Sequence, residues 1–439
     1  MVRAVVFYVL IAMGTPMSLF QPFNGLLLYL FFAHGHLADF VWPGYVFNYG
    51  LVLGAALILG YVFFELQKSP PRFKGMWLLL VFWGWLFVAC YLAYDTRPAF
   101  DILSRFNKMF VISVLVAALA NSEERIGKIL RVLAISLGFL GAKGLLDILL
   151  TGGRFRMQGP GGLMAEENEY ALGMNMAIPI LFWMSTVEER WWMRRAFQIA
   201  ALGCAATVIF THSRSGLLGL IVVCFMIAIY SRRKLLGPLG VAVLALAFWQ
   251  FMPDAAIERY KTIPTASQSD ASAIGRIQMW EAAINMAKEH PFFGVGLRNF
   301  EMAVPRFSNY EPRAPHNAFI ALTAESGVPS CLIFIALILT ASGTSWLNYR
   351  RLRNDPESRT LATYCLLVHA TLIVYIVPNF FINRQDFDLM YHLVAVSAGM
   401  SVVVKRRLWQ MQHEEIEEPE FVPEQPRERL ASLWGMEHS

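Results

Sequence analysis

One histidine and a scatter of arginines are the side chains of this sequence best equipped for chemistry. His316 lies in RAPHNAFIALTAESG, residues 313 to 327, directly after Pro315 and at the head of a long apolar run, which predicts a place in the first turn of a helix. An imidazole with an ordinary pKa near 6.5 accepts a proton at neutral pH and so serves as a general base. Arg214, in THSRSG, sits between two apolar runs with almost no loop, so its guanidinium is held at the edge of a membrane or slightly within it. A cation at the centre of a spanning helix costs about 3 kcal/mol on insertion scales, and membrane arginines pair with anions or line wet cavities. Each residue alone has a plainer reading: His316 bonded to a neighbouring loop, Arg214 snorkelling to lipid phosphates.

The elements that must position these residues are membrane helices. Hydrophobic residues make up 56% of the chain against 16% charged, and they fall in long runs without the alternation of a barrel strand. Runs near 45–65, 76–94, 107–120, 128–150, 169–186, 196–211, 215–230, 235–252, 316–346, 360–379 and 387–404 each predict a span. Alternate loops carry the basic clusters, including Arg72 with Lys74, Arg125 with Lys128, Arg190 to Arg195, Arg232 to Lys234, Arg350 to Arg353 and Lys405 to Arg407. The positive-inside bias puts those loops, and Arg3, in the cytoplasm. Residues 4–40 then cross an odd number of times, read as one crossing broken around Thr15, Pro16 and Pro22. The expectation is an all-α polytopic protein of about twelve spans over residues 1–407, with both termini cytoplasmic. An external loop of moderate size occupies 253–315, and an acidic tail with eight glutamates occupies 408–439.

On that topology the external face carries Arg154, Arg156, Arg214, Arg276, Arg298, Arg313 and Arg384, which the bias leaves unexplained. Guanidinium grips phosphate oxygens with two parallel donors and keeps its proton, whereas lysine is a point charge. The array fits a phosphate-bearing ligand arriving from the outer leaflet, with His316 taking the proton of an incoming hydroxyl. Gly152–Ala171 is a glycine-rich loop that either lets backbone amides approach such a ligand or merely connects, its acidic residues Glu166, Glu167 and Glu169 capping the next helix. In AIGRIQMWEAAINMAKEH, residues 273–290, the isoleucines 274, 277 and 284 share one face with Ala287, so that helix is fit to lie along the interface. Gly294 and Gly296 lack the strand context of a dinucleotide loop. The basic residues are topology signals and imply no nucleic acid. Five cysteines without CxxC spacing argue against a structural metal. Asp386 and Asp388 form a DxD that either holds a divalent ion or caps a helix, and His34, His36 and Asp39 either ligate a metal likewise or, as two histidines one glycine apart in an interfacial segment more commonly are, stand there incidentally. Glu325, about 13 Å along a continuous helix from His316, is too far to orient it.

SRSG closing a helix, then GRIQMWEAAINMAKEHPFFGVGLRNF, then PHNAFIALTAESG entering a span resemble the core of the O-antigen ligase and polymerase superfamily, over about residues 195–346. QPFNGLLLYLFF and RMQGPGGLMAEENEYA are similar to a ligase subgroup associated with exosortase systems. The resemblance implies an inverting, metal- and cofactor-independent glycosyltransferase of the membrane-embedded C-type fold in a bacterial inner membrane, its site facing the periplasm. The implied donor is a glycan on undecaprenyl pyrophosphate and the implied acceptor the lipid A core oligosaccharide. It makes His316 the activator of the acceptor hydroxyl and Arg214 and Arg276 the grip on pyrophosphate, with Arg298 and Asn317 in the same motifs. Arg154, Arg156 and Arg313 join the candidate set from charge placement alone. Polymerisation of glycan units, or transfer to a protein hydroxyl, shares the donor chemistry. A lipid transporter would also want external arginines, but calls for charges deep in several spans and an internal repeat, and neither is found.

Overall fold

The computed structural model describes residues 2–41, 48–71, 75–231, 240, 242 and 271–417. The expected span at 235–252, the first part of the expected external loop, Arg72, Lys74, Arg232, Arg233, Lys234 and most of the acidic tail lie outside them. Among the described residues the regular elements are all helical. They are α1 (Val2–Phe20), α2 (Pro22–Gly35), α3 (Tyr49–Gly60, prolonged by a π turn to Glu65), α4 (Trp77–Tyr91), α5 (Thr96–Leu119), α6 (Glu123–Thr151), α7 (Glu167–Val187) and α8 (Trp191–Phe210). The others are α9 (Arg214–Tyr230), α10 (Ala271–Glu289), α11 (Phe300–Phe307), α12 (Ala318–Ser326), α13 (Val328–Leu352), α14 (Arg359–Ile376) and α15 (Asp388–Glu417). Eight described helices are long and apolar enough to cross a membrane, and three shorter apolar ones (Tyr49–Glu65, Trp77–Tyr91, Arg214–Tyr230) accompany them, against the twelve spans expected.

Short polar side chains set where the helices start. Asp95 accepts from Arg97 N, Ser122 from Arg125 N and Ser213 from Gly216 N, each satisfying a donor that the first turn leaves open. The Asp95 cap corrects the short span expected at 107–120: α5 begins at Thr96, because Arg97, Asp101, Arg105 and Lys108 depress hydropathy without breaking the helix. The innermost helix is α7, which packs against α6, α8, α9 and α14. α6 and α8 approach closely where Gly141 meets Cys204 and Gly144 meets Thr207, small residues admitting neighbouring backbones in a membrane.

The N-terminal segment differs from the single broken crossing expected. α1 and α2 are an antiparallel hairpin: Phe7 packs on Phe32 at 5.6 Å, Gly25 lies against Ser18, and Phe20 reaches Phe64 at the far end. Pro16 is absorbed inside α1, and only Gln21–Pro22 breaks the chain, with Pro22 in the first turn of α2. α1 is long and apolar enough to cross a membrane, whereas α2, at 14 residues, is not among the helices that are. The basic residues of the α7–α8 and α13–α14 connections and the end of α15 lie at the His413 end, away from the site described next.

The expected span 316–346 is also two helices. Gly327 separates α12 from α13 with φ 89°, and a Cβ there would collide with the Phe292 carbonyl oxygen. Gly327→Ala is expected to cost about 1–3 kcal/mol through strain and overpacking, read as a lower midpoint in thermal unfolding of the detergent-solubilised protein. α12, at nine residues, is too short to cross and joins α10 and α11 in a satellite core of Met279, Ala283, Met286, Val295, Phe300 and Ala324. That core uses the face of α10 opposite Ile277 and Ile284, which stay about half exposed as an interface helix requires.

Candidate active site

A cavity of about 440 Å³ opens at the N-terminal ends of α7 and α12. Three strands of irregular chain wall it: residues 297–301 leading into α11, residues 314–316 leading into α12, and residues 383–386 before α15. Each is anchored by named bonds. Trp280 Nε1 of α10 donates to the Pro315 carbonyl at 2.7 Å, and Asn317 N donates to Asn383 Oδ1 at 2.6 Å. Tyr375 and Tyr391, fully buried, donate their hydroxyls to the Arg384 and Gln385 carbonyls at 2.6 Å. The Asn299 side chain accepts from Asp95 N at 2.8 Å, tying the α11 approach to α5.

His316 is not in a helical turn, as the sequence led one to expect. Asn317 is the N-cap of α12, its Oδ1 accepting from Phe319 N and Ile320 N, and this leaves His316 outside the helix with φ 46°. Arg298, across the cavity, has φ 61°. Four described non-glycine residues have positive φ, and two of them face this one cavity. Such backbones persist only where surrounding bonds hold them, and they concentrate at functional sites. His316 is exposed to the cavity, yet the walls desolvate it. That burial, then the charge of Arg276, lowers its pKa, while Glu166 and Glu301 pull the other way. The imidazole is therefore neutral, with a free lone pair, at neutral pH.

The expected arginines separate. Arg298 lines the cavity with His316, and Arg276 is close enough to act on the imidazole, on the same helix face as Trp280 four residues on. Arg214 opens α9 beside its N-cap Ser213, whose hydroxyl donates to Asn168 Oδ1 at 2.7 Å next to the cavity wall at Glu166 and Glu169. Arg156 is engaged instead by Glu167 and by the Thr211 carbonyl, and Arg154 is exposed. Arg313 is exposed and pairs with Glu311 at 2.9 Å. Neither Arg154, Arg156 nor Arg313 lines the cavity, so the glycine-rich loop contributes its acidic end rather than its arginines.

Carboxylates are what the sequence reading missed. Glu166, Glu169, Glu301, Glu325 and Asp386 all line the cavity. Glu325 does so because residues 294–300 fold back onto the end of α12, Val295 N donating to Ala324 O and Gly296 N to Glu325 O. α12 runs unbroken between them, so the helical separation of Glu325 from His316 stands, and both line the one cavity. Arg384 sits between Glu169, at 3.3 Å, and Asp386, at 3.9 Å, and Arg105 reaches Asp386 from α5 at 3.8 Å. Asp386 and Asp388 do not act as a pair: Asp386 faces this cavity, Asp388 a different one. The only sequence signal for Arg384 was its place on the arginine-rich side, and none marked Glu169 or Glu325 as partners of anything.

Glu325 makes a pH-dependent wall. Burial pushes its pKa up to about 7, against the opposing pull of the backbone N–H groups of Arg298 and Phe300 that its carboxylate accepts. A folded-state value raised above the ordinary 4.5 contributes stability that is complete below 4.5 and lost as pH passes 7. At about 1.4 kcal/mol per tenfold change in proton affinity, this component is roughly 3 kcal/mol. The thermal midpoint is expected to fall between those two pH values in the wild type, and Glu325→Gln to flatten that part of the curve.

Fold and site together define a polytopic all-α membrane protein whose polar cavity sets an imidazole among guanidinium and carboxylate groups. Residues 199–335, from α8 to the first turns of α13, match the family model described as O-antigen ligase. That segment is similar to the O-antigen ligase superfamily, and the match contains Arg214, Arg276, Arg298 and His316. No curated protein gave a match to the chain. The family supports a glycosyltransferase of the O-antigen ligase and polymerase type acting on a lipid-linked glycan at a bilayer.

Proposed function

We propose that the protein transfers a glycan from undecaprenyl pyrophosphate to a hydroxyl of the lipid A core oligosaccharide, at the outer face of a bacterial inner membrane. The observation that carries this reading is a neutral His316 that shares one cavity with Arg298 and lies near enough to Arg276 to feel its charge. His316 takes the acceptor hydroxyl proton as that oxygen attacks the anomeric carbon, and the bond to the pyrophosphate oxygen breaks with inversion. The leaving group is already activated, so catalysis consists of aiming the nucleophile and offsetting the growing negative charge, which Arg276, Arg298 and Arg214 do without a metal ion. The carboxylates Glu166, Glu169 and Glu301 are acceptors suited to sugar hydroxyls. An apolar groove of about 260 Å³ beside Ile284, Ile320 and Val328 gives a polyprenyl chain a place at the cavity's flank. Basic clusters gathered at the opposite end of the bundle support a cavity on the outer side.

The test is reconstitution of the purified protein with undecaprenyl-pyrophosphate glycan and three separate acceptors: lipid A core oligosaccharide, a second lipid-linked glycan and a serine-rich protein. Gel mobility shows which one gains the glycan. Transfer to the core alone is the expected result. Elongated glycan or glycosylated protein would assign polymerase or protein O-oligosaccharyltransferase activity, and no product with any acceptor would overturn the transferase reading.

A further inference from the structure

Away from the site just described, the N-terminal hairpin meets α15 through buried histidines. His34, in the last turn of α2, directs Nε2 at His392 Nδ1, 2.9 Å away, and its Nδ1 lies 3.8 Å from Asp388 Oδ1. Both rings are almost fully buried, 1% and 2% exposed. Asp388 and His392 are four residues apart and therefore on one face of α15, and His34 comes across from the neighbouring helix. One ligand atom from each of the three lies within 4.8 Å of those of the other two, the one such cluster of three or more among the described residues. The sequence hid this: His34 was grouped with His36 and Asp39 by proximity, but His36 turns to Asp39 at 2.9 Å and His34 turns the other way.

We propose that His34, His392 and Asp388 bind a zinc-class divalent cation. Two imidazole nitrogens and a carboxylate are the donor set such ions take at sites that keep one position open. Two neutral imidazoles at 2.9 Å hold one proton between them, and a cation replaces it with a lone pair from each side. His392 Nε2 is buried without a hydrogen-bond partner among the described residues, so none of their groups closes the network. A cavity of about 280 Å³, lined by Asp388 and His392 along with Asp39 and Tyr29, adjoins the cluster and gives the cation a route in and a water for its fourth position. Arg105 and Lys108 on that cavity's wall oppose a cation, and Asp39 and Asp388 offset them. The ion ties the hairpin to α15, the helix that follows the Arg384–Asp386 segment.

The experiment reads bound metal and not transfer, so it stands apart from the proposed reaction. Protein purified in detergent is stripped with chelator, dialysed against zinc and analysed for metal by mass spectrometry, with cobalt(II) as a visible probe. About one zinc per chain is expected, and below about a tenth of that in His34→Gln and His392→Gln that still elute as folded protein. Cobalt bound to the wild type is expected to absorb as a tetrahedral complex and to be bleached by zinc. Should the histidine variants not fold, Asp388→Asn serves, with an expected affinity loss of at least about tenfold. Wild type without zinc, octahedral cobalt only, or variants that bind as the wild type does would each overturn the proposal.

Discussion

His316→Ala is expected to lose about 10²- to 10⁴-fold in kcat, about 3–5 kcal/mol of transition-state stabilisation, while the protein still inserts and elutes as before. The fold survives because the side chain is exposed to the cavity and holds no wall together, the neighbouring Asn317 making the bonds that cap α12 and meet Asn383. A control separates chemistry from backbone strain. His316 has φ 46°, which asparagine tolerates better than alanine, so His316→Asn keeps the conformation and lacks the base. Equal loss in both variants assigns the effect to proton transfer, and normal turnover in either would remove His316 from the mechanism. The pH profile gives an independent reading. Desolvation and then Arg276 lower the imidazole pKa, and its neutral form is the active one, so the acid limb of kcat/KM lies below the ordinary 6.5. Arg276→Gln removes one of the two lowering influences and is expected to move that limb upward.

Arg384→Met is expected to cost about 3–5 kcal/mol of stability, the largest structural effect among the cavity residues. The guanidinium stands between Glu169 and Asp386, which are 8% and 6% exposed, and removing it leaves two buried carboxylates with only the weaker influences of Arg105 and Arg298 on Asp386. Desolvation already raises the Asp386 pKa, with Arg384 the first influence against it. Without Arg384 the folded-state value rises further above the unfolded one, so the stability it lends is present at low pH and lost as pH climbs through it. The deficit is therefore expected to narrow on acidification, and Glu169→Gln with Asp386→Asn in the same chain is expected to restore most of it. Thermal unfolding in detergent at several pH values checks both. A variant as stable as the wild type at neutral pH would mean that the cavity is wet enough to screen these charges.

The expected result for His316 was legible in the sequence, and that for Arg384 was not, for reasons that lie in the range of the interactions. Pro315 at the head of an apolar run announces a helix start, although the cap falls at Asn317 and leaves His316 just outside the helix. Arg384 acquires its meaning from Glu169, more than two hundred residues earlier, and no local pattern encodes that pairing. The same holds for α1 and α2. Pro16 and Pro22 look alike to a hydropathy reading, yet Gly14, Ser18 and Gly25 let two helices close on each other, and that contact makes one proline a passenger and the other a turn.

By itself the sequence determined that this is a chain of apolar helices fit to span a membrane, and which imidazole stands at the head of an apolar run, since transfer free energy and helix capping act within a few turns of chain. Tertiary structure alone decided which arginines meet His316, that five carboxylates share their cavity, that residues 294–300 close over Glu325, and that His34 finds His392. Those outcomes depend on how buried charges are paired across helices, a balance between desolvation and Coulomb attraction that is struck only once the helices have packed.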